Sequence, residues 1–337
     1  MSPGKAGWWK NARRWLPGLL ISLIAIAILL RVSDWKGVGD ALGRVHWWTL
    51  AAGVGITLVF LLLRGAAWRE ILDGKPGLWQ SFRIVNEGYL INNILFHRAG
   101  ELARAVFMGQ VNNIGTARAL SSIVLERVFD LVFAAGIFLL CLPLVVGADW
   151  ARTAGFITLG LVIVVLFALF LAARFQEKLL AWMDTWQIKA GFWQRWVKPQ
   201  IRHLFEGLAV LNRPKRFLAA VLLIGLSWGV AFLNHYVFLR ALIPDVPFWW
   251  GVFTDTALAM GIALPSVPSA VGVYEAAIVG ALVLLGVASE TGLAFAILLH
   301  VLQFVVTAIL GMIGLIQDGR SLAQVKEIFS RREQEIS

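Results

Sequence analysis

The chain has 337 residues, 59% of them hydrophobic and only 15% charged, with a formal net charge of +10. Soluble domains carry about 25% charged residues, so this balance excludes an ordinary water-soluble fold and places the chain in a bilayer. Lys and Arg are concentrated in the connections between apolar stretches, so membrane orientation accounts for the charge and no nucleic-acid partner is needed.

Crossing about 30 Å of hydrocarbon takes roughly 20 apolar residues, and six stretches approach or exceed that length, at about 16–30, 47–63, 120–146, 154–173, 216–240 and 291–317. The first is short and bounded by Trp15 and Arg31. It follows Lys5, Lys10, Arg13 and Arg14, as a secretory signal would, but no small-x-small cleavage site follows Leu30, so it reads as an uncleaved anchor. Residues 64–118 carry seven Lys and Arg and residues 174–216 carry nine, against few on the other side, which puts both termini in the cytoplasm. Trp8, Trp9, Trp15, Trp47, Trp48, Trp150, Trp249 and Trp250 fall near span ends and read as an interfacial belt. Cys141 lies inside an apolar span and reads as packing.

Between the second and third spans, residues 82–118 must begin and end in the cytoplasm, and residues 250–287 must begin and end outside. Each is long enough for two short helices, so both are expected to be re-entrant hairpins. The first turns near Asn92 to Gly100. The second turns at Pro265 and Pro268, which cannot continue a helix, with Ser266 and Ser269 available to cap the returning one. Exposed backbone at such turns must be buried in protein or line a wet cavity. Within the fourth connection, 174–215, Trp193, Val197, Ile201, Leu204, Leu208 and Leu211 recur at helical spacing among basic residues. This predicts a basic amphipathic helix, either on the anionic cytoplasmic leaflet or capping the bundle from below.

Gly100 and Gly272 are 172 residues apart, and the second and fifth spans and the third and sixth are offset by about the same amount. The chain therefore divides into halves, 1–147 and 148–317, each built as span, span, hairpin, span, followed by a cytoplasmic tail, 318–337. Three crossings per half force opposite orientations, the inverted repeat of secondary transporters. The expected fold is an all-α polytopic membrane protein of about six transmembrane helices plus two re-entrant hairpins in a single membrane domain.

Three motifs, Leu90 to Arg104 (LINNILFHRAGELAR), Leu125 to Asp130 (LERVFD) and Pro265 to Glu275 (PSVPSAVGVYE), closely resemble the transmembrane region of lysylphosphatidylglycerol synthases and their stand-alone flippase-like relatives. The resemblance covers nearly the whole chain. It implies a multi-pass bacterial inner-membrane protein that moves a phospholipid or lipid-linked molecule between leaflets. Bifunctional members carry a soluble aminoacyl-transferase domain after the last span; about twenty residues follow it here, so lipid aminoacylation is not expected. At His97 many relatives have proline. Histidine keeps the break polar and could titrate near neutral pH, or it is a turn residue bonded to a backbone carbonyl.

Charged side chains within spans are costly and should have a partner or a task. Glu126 and Asp130 share a helical face, with Arg127 about 100° round from Glu126. Arg127 could pair with Glu101, or Glu126 with Arg98 or Arg104, as a structural clamp or as direct substrate contact. Arg98 and Arg104, beside Asn92, Asn93 and the amide groups of a half-helix start, either trap a phosphate or only obey the positive-inside bias. The second half offers Asp255, Glu275, His300 and Gln303, with Asn234 and His235 in the fifth span. Glu275 resembles the family's acidic position and suits an amine headgroup or a coupling proton; His300 and Gln303 share a face and could bond across helices. Gly100, Gly272, Pro265 and Pro268 are the hinge and turn positions.

No GxxxxGK[ST], GxSxG, HExxH or CxxC signature is present, so neither a cofactor nor a metal is expected, nor the usual catalytic machinery. The expected function is translocation of an anionic phospholipid or polyprenyl-phosphate-linked lipid, with membrane lipids as partners and a homo-oligomer allowed. A lipid-modifying transferase and a non-transporting scaffold for envelope-lipid synthesis are the alternatives.

Overall fold

A computed structural model describes residues 6–95, 99–146, 213–263 and 267–321, together with isolated positions between 153 and 182; side chains are described from residue 19. Among the described residues the chain is helical, with no strand. The helices are α1 (Ala6–Val32), α2 (Trp35–Gly43), α3 (Trp47–Ile71), α4 (Leu78–Ile94), α5 (Ala99–Gly109), α6 (Thr116–Val146), α7 (Pro214–Leu242), α8 (Phe248–Gly261), α9 (Val273–Leu284) and α10 (Ser289–Gln317).

Four of these, α3, α6, α7 and α10, are long and apolar enough to cross a membrane. At 25 to 31 residues each they reach about 38–46 Å at 1.5 Å per residue, more than a hydrocarbon core requires. Their outward faces carry exposed Leu131, Leu222, Leu226, Phe304, Ile309 and Ile316, as expected of a surface solvated by lipid rather than water. In the first predicted span, Leu19–Val32 is a shorter apolar helix. The fourth span and the amphipathic connection lie almost wholly outside the described residues, as does nearly all of the tail; the isolated positions Ile157, Val164 and Phe167 are helical and exposed.

The second span runs further than expected. Arg64, taken as the start of a cytoplasmic connection, lies inside α3, which continues to Ile71. The helix tolerates it because Glu126 and Asp130 of α6 neutralise it, so the charge need not leave the bundle.

The packing has a two-part order. Within the first set of helices α3 packs on α4, α4 on α5, and α5 on α6; in the second set α7 packs on α8, α8 on α9, and α9 on α10. Between the sets, α4 packs on α10, α8 packs on α6, and α3 and α7 form the most extensive interface. Exchanging α3 with α7, α4 with α8, α5 with α9 and α6 with α10 maps these contacts onto one another. Close crossings recur in the same way: Gly65 lies against the Phe82 backbone where α3 meets α4, and Gly251 against the Phe232 and Tyr236 backbone where α8 meets α7. The main apolar core gathers Leu61, Phe238, Ile278, Leu282, Phe295 and Leu299 around the α3–α7 crossing.

Cys141 is buried beside Phe253 and Ala281. Trp47 and Trp48 are exposed and stacked at the start of α3. α2 is capped by Asp34, whose carboxylate accepts the Lys36 and Gly37 amides.

Candidate functional site: where the two helix breaks meet

The apolar helices are interrupted between α4 and α5 and between α8 and α9. On either side of the first break α4 and α5 pack so closely that a Cβ on Gly100 would collide with the Gly88 carbonyl oxygen. The Gly100 amide donates to the Asn92 side-chain oxygen at 2.8 Å, which satisfies one N–H at the start of α5. His97 and Arg98 lie outside the described residues.

In the second break Pro268 begins a single 3-10 turn, Pro268–Ala270. Ser269 and Ala270 adopt left-handed backbone angles, φ 58° and 56°, followed by Gly272 at 85°. Ser269 does not cap the returning helix. That task falls to the Gly272 amide and Glu275, whose carboxylate accepts the amide at 2.7 Å; with the backbone already turned by Gly272, the acid three residues on reaches back. Pro265 and Ser266 lie outside the described residues.

Ser269 turns instead toward the other break and donates to the Asn93 side-chain oxygen at 3.1 Å, while the Asn93 amide donates to Thr307 of α10 at 3.0 Å. One asparagine thus holds the end of α4 to α10 and to the second break. α1 completes the junction, its Ser22 hydroxyl accepting the Val267 amide at 3.3 Å. Asn92, Asn93, Ser269 and His300 are half-buried, and Gln303 is exposed on α10 between His300 and Thr307. His300 and Thr307 are the twelfth and nineteenth of the 29 residues of α10, so this polar surface stands about half-way along a spanning helix.

Behind it, His300 Nδ1 lies 2.6 Å from Glu275 Oε1, and Tyr274 stacks on the imidazole with centroids 4.1 Å apart. Glu275 thereby engages one oxygen with its helix start and the other with His300.

The first half holds a buried ionic cluster. Arg64 of α3 donates to both oxygens of Asp130, at 2.6 and 2.7 Å, and also to Glu126. Arg104 of α5 donates to the other oxygen of Glu126 at 2.8 Å, with its guanidinium 4.3 Å from the centre of the Trp68 ring. Arg127 reaches Glu126 at 3.1 Å, Asp130 at 3.2 Å and Glu101 at 3.9 Å. Arg64, Arg104 and Glu126 are all under 4% exposed, and the Trp228 indole of α7 donates to Asp130 at 3.3 Å. The cluster joins α3, α5, α6 and α7. Arg64 was the member sequence reasoning overlooked, although an arginine within the otherwise apolar Leu61–Trp68 was a sufficient signal.

Asp255 is buried on α8 facing His235 of α7, 3.6 Å away. At the end of α10, Arg320 pairs with Glu87 at 2.6 Å and Asp318 at 3.0 Å. Among the described residues no group of three His, Cys, Asp or Glu could hold a metal ion.

Comparison with known proteins agrees with the membrane character. The family model described as the lysylphosphatidylglycerol synthase TM region matches residues 15–311. The chain is similar to a protein named glycosyltransferase AglD from Haloferax volcanii, 25% identical over 92% of this chain and 55% of that protein. It is also similar to a UPF0104 membrane protein from Methanothermobacter thermautotrophicus, 27% identical over 36% of this chain and 38% of that one. The chain thus spans about half the length, or less, of these curated relatives. No solved structure matches.

Proposed function

Since the chain belongs to the family of the lysylphosphatidylglycerol synthase transmembrane region, we propose that it moves an anionic phospholipid or a polyprenyl-phosphate-linked lipid between the leaflets of a bacterial inner membrane. The observation that carries this reading is the polar junction of Asn92, Asn93, Ser269, Gln303 and the Glu275–His300 pair, half-way along a spanning helix. Moving a charged headgroup through hydrocarbon means removing its water, at several kcal/mol or more. A strip of amide, hydroxyl and carboxylate groups replaces that water while the acyl or prenyl chains stay in lipid.

Each break is read as the tip of a re-entrant hairpin, and the two sets of helices as an inverted repeat with both termini cytoplasmic. The exchange symmetry of the helix contacts supports this, because an odd number of crossings per half reverses the second copy. In this mechanism Arg98 receives the phosphate from the cytoplasmic side, and Glu275, held by the Gly272 amide and His300, lies on the opposite side of the site. Arg104 anchors the hairpin, since its guanidinium is buried against Glu126 and Trp68. No covalent chemistry is assigned.

The test is leaflet exchange of a labelled phosphatidylglycerol and a labelled polyprenyl phosphate by the purified protein in vesicles. Exchange with the native chain, lost with Arg98→Ala and with Glu275→Gln, is the expected result. Vesicles inactive across a broad panel of anionic lipids would sink the proposal.

The name of the Haloferax relative supports a second reading, a lipid-modifying transferase. A new covalent lipid product detected by mass spectrometry would favour it.

A further inference from the structure

We propose that His235 and Asp255 form a binding site for a single exchangeable proton, and that its occupancy sets how α8 packs against α7. This goes beyond the lipid-passage reading, and only its coupling role rests on that reading.

The argument is one of donors and acceptors. His235 Nδ1 lies 3.2 Å from the carbonyl oxygen of Ala231, one turn back on α7. A carbonyl only accepts, so Nδ1 must carry a hydrogen. In a neutral imidazole Nε2 is then a bare lone pair, and it faces Asp255 Oδ1 at 3.6 Å. An ionised Asp255 would set two acceptors against each other. Both His235 Nε2 and Asp255 Oδ2 are buried without a hydrogen-bond partner, and the two residues are only 6% and 8% exposed.

A proton on Nε2 turns the contact into an imidazolium–carboxylate pair. A proton on the carboxyl turns it into an O–H donor to Nε2. Either proton replaces the opposed lone pairs by an attraction that draws the 3.6 Å contact toward hydrogen-bonding distance, and neither arrangement exists without it. The Glu275–His300 pair differs, because there Nδ1–H can itself donate to the carboxylate at 2.6 Å, so that contact is complete with a neutral imidazole.

The polar and titratable groups on the elements packed around the pair leave the proton to these two residues. From α9 comes Tyr274, a phenol within electrostatic reach of both Asp255 and Glu275. From α10 the Phe295 ring stands edge-on to His235 at 5.7 Å, with His300 and Glu275 beyond Tyr274. From α6 comes Cys141, packed against Phe253. From α3 comes Thr57, uncharged and bonded to Asn234 at 3.3 Å. On α7 itself Arg240 pairs with Asp245 at the exposed end. Among the described residues no cation other than His235 makes an ion pair with Asp255.

Losing the proton therefore pushes α8 away from α7, and α8 leads into the break whose Ser269 bonds Asn93. Protonation thus acts on the polar junction through the first arm of the second hairpin.

The test uses the full chain in nanodiscs, with histidine labelled by 15N, recorded with infrared carboxyl bands from pH 5 to 9. His235→Gln assigns the histidine signals and Asp255→Asn assigns the carboxyl band. At neutral pH the expected result is Nδ1–H plus one further proton, seen either as an imidazolium at His235 or as a protonated carboxyl at Asp255, and lost in a single step at higher pH. A neutral Nε2–H tautomer beside a carboxylate, a pair with no second proton, or a signal that follows sodium rather than pH overturns it. In vesicles an imposed pH difference should alter lipid exchange by the native chain several-fold and leave the rate of Asp255→Asn unaltered. An equal response of the two overturns the coupling. Vesicles without any lipid exchange would remove the transport reading while the spectra still decide the proton site.

Discussion

Glu126 accepts from three guanidiniums, and two of them, Arg64 and Arg104, are almost fully buried with it. Replacing it by alanine leaves Arg64 with the bidentate contact to Asp130, whereas among the described residues Arg104 keeps the face of Trp68. Stranding a buried charge in this way costs about 3–5 kcal/mol. Arg104→Met should cost less, because Glu126 retains Arg64 and Arg127 and the methionine fills the space beside Trp68. The double variant, Glu126→Ala with Arg104→Met, should recover part of the loss, with a coupling energy of about 1–3 kcal/mol. Equilibrium unfolding of the purified protein in mixed micelles, read by tryptophan fluorescence, gives all three values. Equal losses in the two single variants, or a coupling near zero, would refute the claim that Arg104 depends on Glu126.

Three further outcomes follow from the breaks. Gly100→Ala forces a methyl group into the Gly88 carbonyl and should part the two arms of the first hairpin, measured as a loss of monodisperse protein and of a disulfide engineered between α4 and α5. Gly272→Ala meets both a φ of 85° and the Ser22 carbonyl oxygen; backbone strain of about 1–3 kcal/mol should lower the unfolding midpoint. Asn93→Ala removes two interhelical hydrogen bonds, which at about 0.6 kcal/mol each within a membrane costs about 1 kcal/mol of stability. It should nonetheless slow lipid exchange far more than that loss would suggest, and exchange at the native rate would argue against the junction as the passage.

The positions of the breaks were legible because proline, glycine and paired polar residues have few other uses inside apolar runs: Asn92, Gly100, Pro268 and Gly272 all mark them. The helical face shared by Glu126 and Asp130 was equally plain, since a spacing of four fixes it. Partners distant in the chain were not. Asn93 and Thr307 are 214 residues apart, and nothing local joins them. Ser269 looks like a cap because serine so often caps helices, yet the left-handed backbone at residues 269, 270 and 272 aims it at the opposite break and leaves Glu275 to serve the helix start. Arg64 was obscured by its basic neighbours, which suggested a loop where the helix in fact continues.

The packing of α4 on α10 has a consequence for synthesis. A growing chain releases α4 and α5 into the membrane long before the ribosome has made Thr307 or Arg320, the partners of Asn93 and Glu87. The first hairpin therefore waits, with Asn93 and Glu87 unmatched, through the insertion of every later helix, and helices that lack their final neighbours are prone to mispair. Quality-control proteases that survey unmatched polar residues in membranes should find their substrate in this interval. Truncation before α10 is accordingly expected to send the whole nascent protein to degradation rather than leave a stable first half.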